Sequence, residues 1–175
     1  TADTSVAAGS FHTVEYRFEG QDTQLFKKGT SNAYPMTVAF WIKSSVTGTA
    51  VVELADDDNT RHICKTFTVD SADTWEKKVL AFAGDTSGAL TNDTGRSFRI
   101  NIFLGAGSNL TSGTLATSWA SRTTANIAAG QTINAASSTD NNIFITGLQM
   151  ELGEFTSTTI PAVSYTHLTL PTTSS

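Results

Sequence analysis

Seven short stretches of the chain carry strand-like patterning, and none carries the 3.6-residue period of a long amphipathic helix. From Phe11 to Phe18, the residues Val14, Tyr16 and Phe18 fall on one face and Glu15 and Arg17 on the other, as in a half-buried strand. Met36 to Lys43 places Val38, Phe40 and Ile42 on one face; Ala39 and Trp41 face the other way, which predicts a strand covered on both sides with Trp41 in the core. Thr49 to Ala55 and His62 to Val69 flank the polar run Asp56-Asp57-Asp58-Asn59 and read as a hairpin. Trp75 to Phe82 follows, with Trp75 packing over a sandwich edge. Phe98, Ile100, Ile102 and Leu104 give the cleanest alternation, predicting one central strand with all four side chains inward. In Asn142 to Leu152 the apolar parity switches at Gly147, from Ile143 and Ile145 to Leu148, Met150 and Leu152, which predicts a β-bulge there.

Short spacings and turns rich in Gly, Asn, Asp and Ser join these stretches, which favours an antiparallel β-sandwich over a parallel α/β sheet. Ser108 to Asp140 is the exception, a long polar stretch containing Trp119 and little periodicity, and loops of that length are commonly functional. No internal repeat is visible. The 175 residues suffice for one domain with a real core, and 39% hydrophobic content is too high for disorder. A net charge of −5 gives no electrostatic case for nucleic acid or an anionic membrane. The apolar run Val38 to Ile42 is far too short to span a bilayer. A single cysteine, Cys64, excludes an intrachain disulfide framework and a cysteine-rich zinc site; it reads as a small buried apolar residue.

Both ends depart from the pattern. The chain opens at Thr1 without a basic and apolar leader, so it is expected to be a fragment of a longer protein. Val163-Ser164-Tyr165-Thr166-His167-Leu168-Thr169-Leu170-Pro171-Thr172 resembles a translated transposase-type sequencing adapter, and after Glu154 the chain carries no Asp, Glu, Lys or Arg. The domain is therefore assigned to residues 1–160, with 161–175 a non-native or disordered tail, of which 163–175 are expected to pack against nothing. Tyr165 and His167 carry no functional argument.

Reactive constellations are sparse. Glu15 and Glu19 lie four residues apart and read as exposed strand charges; Glu151 and Glu154 read as solvated. Of the two histidines upstream of that tail, neither His12 nor His62 belongs to a catalytic constellation legible in the sequence. His62 and Cys64 share one strand face and would supply half a metal site, but no second ligand pair accompanies them, so packing is the expectation and no metal or cofactor is assigned. Asp56-Asp57-Asp58-Asn59 offers oxygen ligands but lacks the alternating spacing and distal Glu of a calcium loop; a hairpin turn is the simpler reading. Sequon matches at Asn92 and Asn109 carry little weight. Sugar recognition needs an aromatic face and planar polar groups, and Trp119, Arg122 and Asn126 in the long loop are the candidate ligand-binding residues.

Five segments, taken in order, resemble a known type of module: Glu19-Gly20-Gln21-Asp22, Lys28-Gly29-Thr30-Ser31-Asn32-Ala33, Phe40-Trp41-Ile42-Lys43-Ser44, Ala72-Asp73-Thr74-Trp75-Glu76-Lys77-Lys78, and Ile145-Thr146-Gly147-Leu148-Gln149-Met150-Glu151-Leu152-Gly153. They resemble modules near the ends of bacteriophage tail-fibre and other virion structural proteins, and jelly-roll carbohydrate-binding modules of the galactose-binding-like type. The resemblance spans residues 1–160 and implies a jelly-roll sandwich, truncated at its N-terminus, located in a virion tail. It implies structural or binding work without catalysis. The implied partners are a host surface glycan and other tail proteins, with trimeric assembly of the full-length protein. The alternative it leaves open is the carbohydrate-binding module of a secreted bacterial glycoside hydrolase. Phe155 to Ala162 departs from the Ala-Thr-Pro-Phe-like ending of such modules.

Overall fold

The computed structural model describes residues 2–162. Eight strands form two antiparallel sheets: β1 (Phe11–Glu19), β2 (Met36–Ser44), β3 (Gly48–Asp56), β4 (Arg61–Val69), β5 (Glu76–Phe82), β6 (Arg96–Ala106), β7 (Ala120–Ser121) and β8 (Ile143–Leu152). One sheet runs β1-β6-β3-β4-β7 and the other β5-β2-β8. The molecule is an all-β sandwich. Residues 163–175, expected to pack against nothing, lie outside the described residues. Among the described residues no helix is long and apolar enough to cross a membrane.

Alternation along each strand dictates which side chains meet between the sheets. In the five-stranded sheet, the rows Val14–Ile102–Val52, Tyr16–Ile100–Leu54–Ile63 and Phe18–Phe98 face inward. Phe98, Ile100, Ile102 and Leu104 are all buried on β6, which lies between β1 and β3. From the other sheet Met36, Val38, Phe40, Ile42 and Phe82 close the same core. The Phe40 and Phe67 rings meet edge to face across it at 5.2 Å, an arrangement that adds to the burial itself. Because three strands face five, the inner face of β1 is only partly covered: Val14 and Tyr16 stay exposed, Tyr16 beside Leu148 and Met150.

The bulge lies at Gly147: Ala39 pairs with Gln149 and Trp41 with Thr146, so β8 carries extra residues opposite Phe40. Gly147 has φ +61°, a conformation that favours glycine. Trp41 departs from the expectation of a core position. Its ring lies on the outer face of the three-stranded sheet and is 43% exposed. Segment 153–162 runs over that face, where Thr37 donates to the Gly153 carbonyl at 2.7 Å and accepts from the Phe155 amide at 3.0 Å, and Pro161 and Ala162 line a shallow pocket together with Trp41. Trp75 precedes β5 and is likewise substantially exposed.

The long stretch after β6 is well structured. It contains a single helical turn, α1 (Ser108–Thr111), then β7 and a 3-10 turn at Thr124–Asn126. It crosses the outer face of the five-stranded sheet and buries a second apolar cluster of Val51, Cys64, Phe103, Leu110, Ala116, Ile127 and Ala128. Main-chain bonds fasten it there, from Cys64 N to Ala116 O at 2.7 Å, Arg122 N to Thr60 O at 2.8 Å and Thr132 N to Thr49 O at 2.9 Å.

Candidate ligand-binding cleft

On the outer face of the five-stranded sheet, strand pairing aligns Glu15, Asn101, Glu53 and Cys64 in one row across β1, β6, β3 and β4. The neighbouring row is Arg17, Arg99, Ala55 and His62. The covering loop closes over the β3–β4 end and leaves the β1–β6 end open. The same polar band is therefore buried at one end and lines a cleft of about 360 Å³ at the other.

Glu53 anchors the buried end. It is fully buried, and its two carboxylate oxygens accept from four donors. His62 Nδ1 lies 2.9 Å and Arg122 Nε 2.8 Å from Oε1, while Asn101 Nδ2 lies 2.8 Å and Arg122 Nη2 3.2 Å from Oε2. Burial pushes the Glu53 carboxyl up, but the bonds from His62, Arg122 and Asn101 outweigh it and hold it at about 2. Cys64 Sγ lies 3.7 Å from His62 Nδ1, and burial together with the Glu53 charge pushes its thiol far up. Glu53, His62 and Cys64 bring three potential ligand atoms within 4.8 Å of one another. The donors already on Glu53, one of them a guanidinium, occupy its lone pairs, and a thiol held protonated is a poor ligand. The arrangement therefore reads as a buried polar hub in which the Glu53 oxygens are fully bonded, while among the described residues His62 Nε2 has no partner.

The open end is built differently. Phe11 forms one wall, is 51% exposed, and meets the Phe103 ring edge to face at 5.9 Å. Glu15, Arg99 and Asn101 of the sheet form the floor, and Asn109, Arg122 and Thr124 of the covering loop complete the lining, Asn109 at the Phe11 end, where its main-chain amide donates to the Ala8 carbonyl at 2.8 Å. The charged groups of the floor belong to one network, in which Arg17, Arg99 and Arg96 meet the carboxylates of Glu15 and Asp57. Glu15 pairs with Arg17 and, at 2.9 Å, with Arg99; Arg99 also donates to Asp57 Oδ1 at 2.7 and 3.1 Å. Burial raises the Glu15 carboxyl, yet its two arginine partners outweigh that and hold it below the usual range. Asn101 is almost fully buried. Its Nδ2 is committed to Glu53, and among the described residues its Oδ1 has no hydrogen-bond partner.

Of the residues singled out in the long loop, Arg122 reaches the cleft. Trp119 and Asn126 are not among its lining residues. The Trp119 indole turns toward the sandwich, tilted against Phe98 at 6.2 Å, with Nε1 donating to the Ala83 carbonyl at 2.7 Å. Asn126 Oδ1 accepts from the Thr114 amide at 3.0 Å and so holds the loop's own turn. The sequence reading missed Phe11, Asn101 and Glu53. A carboxylate inside the apolar run Val51-Val52-Glu53-Leu54-Ala55 was the available signal, since such a charge must find partners when buried.

A second polar assembly lies at the far end of the hairpin. Lys28 is buried; its Nζ contacts Asp56, lies 3.0 Å from Asp85 Oδ2, and donates to the Ser87 and Gly88 carbonyls at 2.8 Å each. It also sits 5.3 Å from the centre of the Trp119 ring. Asp56 accepts in addition from Asn59 N at 2.9 Å. The Asp56–Asn59 run is thus a hairpin turn tied to a buried ammonium. Gly29, at φ +81°, permits this approach: a Cβ there would lie 2.4 Å from Ala89 N.

No protein-family model, curated protein or solved structure matches the chain.

Proposed function

We propose that this chain is a non-catalytic module of a virion tail-fibre-type protein, of jelly-roll architecture, and that it contacts host-surface glycans through the cleft on the five-stranded sheet. The order of the sequence segments supports the tail-fibre reading. One observation carries the binding reading: an exposed phenyl ring, Phe11, lines the same cleft as the planar polar groups of Arg99, Asn101 and Arg122. A pyranose presents one apolar face to a ring and a rim of hydroxyls to amides and guanidiniums. The carboxylates of the site favour binding over hydrolysis. A general acid must hold its proton near neutral pH, whereas Glu15 and Glu53 are both held ionised by arginines.

A single shallow site of this kind would bind with Kd on the order of 0.1–1 mM. Repetition along a fibre would raise avidity without any new contact. A glycan array probed with the chain displayed multivalently on beads tests the reading. Binding to at least one glycan that is lost in Phe11→Ala, with circular dichroism unchanged, is the expected result. Equal binding by both proteins would remove the cleft from the account, and turnover of a bound polysaccharide would remove the non-catalytic assignment.

A further inference from the structure

The two layers of the sandwich are offset, and the offset leaves a step along one side. β8 lies over β6, where Leu148 and Met150 share a pocket with Ile100, and β5 lies over β4, where Lys65 Nζ is 5.9 Å from the centre of the Phe82 ring. β1 therefore projects one strand beyond β8, with Val14 42% and Tyr16 53% exposed on its inner face. Among the described residues β1 pairs only with β6 and β8 only with β2, so two long strand edges, of nine and ten residues, stand free on the same side. Free edges of this length recruit further strands unless charge or a covering segment protects them, and β8 carries one charged residue, Glu151. We propose that this step is the surface of a two-fold dimer, in which β1 of each copy fills the ledge beside β8 of the other.

Strand directions fix the geometry. β1 and β3 are both antiparallel to β6, and β2 leads directly into β3 at one end of the sandwich, so β8, antiparallel to β2, runs the same way as β1. A two-fold axis parallel to the strands and midway between the layers keeps that direction and exchanges the layers. It sets each β1 alongside the other copy's β8 as a parallel pair, joins inner face to inner face, and stacks Val14 and Tyr16 on their own symmetry mates. A two-fold perpendicular to the sheets, which would pair β8 with β8, drives β1 into the other copy's β6. Rotation about the first axis does not shift the strands along their length, so their level is the one seen within a single copy, where Tyr16 and Phe18 lie beside Leu148, Gln149 and Met150. At that level the outward residues of β1, Phe11, Thr13, Glu15 and Arg17, fall in order beside Phe144, Thr146, Gln149 and Glu151 of β8. Aromatic then meets aromatic, and Arg17 meets a carboxylate. A nine-residue strand is about 30 Å long and a layer about 10 Å thick, so the two edges and the ledge bury about 1,500 Å² over both copies, the size of a standard specific interface.

Sedimentation equilibrium of the whole chain, from about 1 μM to about 0.5 mM, tests the proposal. The expected result is a monomer–dimer equilibrium with Kd on the order of 1–100 μM. Tyr16→Lys, at a position exposed in the single chain, should weaken it by about a hundredfold with circular dichroism unchanged. Val14→Lys, on the same inner row, repeats the measurement should that variant fold poorly. Arg17→Glu and Glu151→Arg should each weaken the dimer by about three- to fivefold, and the double variant should recover the wild-type Kd. Amides along β1 and β8 should exchange more slowly as concentration rises, whereas those of β5, at the opposite edge, should not change. A chain that stays monomeric throughout the range, a trimer, or a dimer indifferent to both lysine variants overturns the proposal. A dimer that Tyr16→Lys abolishes but the exchanged charges do not restore overturns the parallel seating of β1 on β8.

Discussion

Replacing Arg122 by methionine keeps most of its stem and removes its charge from Glu53. The carboxylate is fully buried and ionised, and Arg122 supplies its only guanidinium, through bonds of 2.8 and 3.2 Å. His62 and Asn101 remain as donors, but the guanidinium is gone. Breaking a buried pair from one side costs about 3–5 kcal/mol, mostly from stranding the other charge. Typical domains have about 5–15 kcal/mol in total, so the variant should lose a large share of its stability. Urea unfolding at neutral pH, followed by circular dichroism, measures the loss as a shift in midpoint at constant slope. The double variant Arg122→Met/Glu53→Gln removes the stranded charge and should recover at least half of it. A loss under about 1 kcal/mol for the single variant, or no recovery in the double, would refute the view that Glu53 is a charged hub held by Arg122.

Other perturbations follow from the same bonds. Lys28→Met strands Asp56 in the interior, while Asp85 keeps its bidentate pair with Arg61 at 2.7 and 3.0 Å, and should cost about 3 kcal/mol in the same assay; a loss within 0.5 kcal/mol of zero would mean that the ammonium is not the clamp described. Ile102→Ala empties a site in the central strand and should cost about 2–5 kcal/mol, a range that calorimetry resolves; a loss under about 0.5 kcal/mol would place the strand elsewhere. Acid should unfold the domain in a definite window. Glu53 titrates near 4.5 when unfolded and at about 2 when folded, so its contribution, about 3 kcal/mol, is present above pH 4.5 and lost as pH falls toward 2. The carboxyls of Glu15, Glu76 and Asp85 are lowered too and act in the same direction. A urea midpoint that stays level from pH 7 to pH 3 would contradict this.

Much of the fold is legible in the sequence because strand alternation is a local signal. Phe98 to Leu104 marks β6, the parity switch at Gly147 marks the bulge, and the aspartate run marks the β3–β4 turn. Trp41 shows where that signal stops. An apolar neighbourhood indicates a strand but not what covers its second face, and Trp41 stays 43% exposed there. Tyr16 illustrates the same limit on β1, since nothing local records that the opposing sheet is narrower. The site is less legible still. Glu53, Asn101 and Glu15 sit in one row only because three separate strand registers bring them there. Lys28 meets Asp56 and Asp85 only through tertiary folding, so an unremarkable pair of lysines conceals a buried one. Trp119 has the residue type of a sugar platform, but its surroundings give it the work of anchoring the loop.

Mapping the contact surface by NMR tests the central claim most directly. The 15N-labelled chain is titrated with an oligosaccharide selected on the array, and amide shifts are assigned by residue. The account predicts shifts concentrated at Phe11, Thr13, Glu15, Asn101, Asn109, Arg122 and Thr124, the residues around one cleft. Shifts confined to the opposite sheet, around the exposed Trp41 and Phe144, would contradict it.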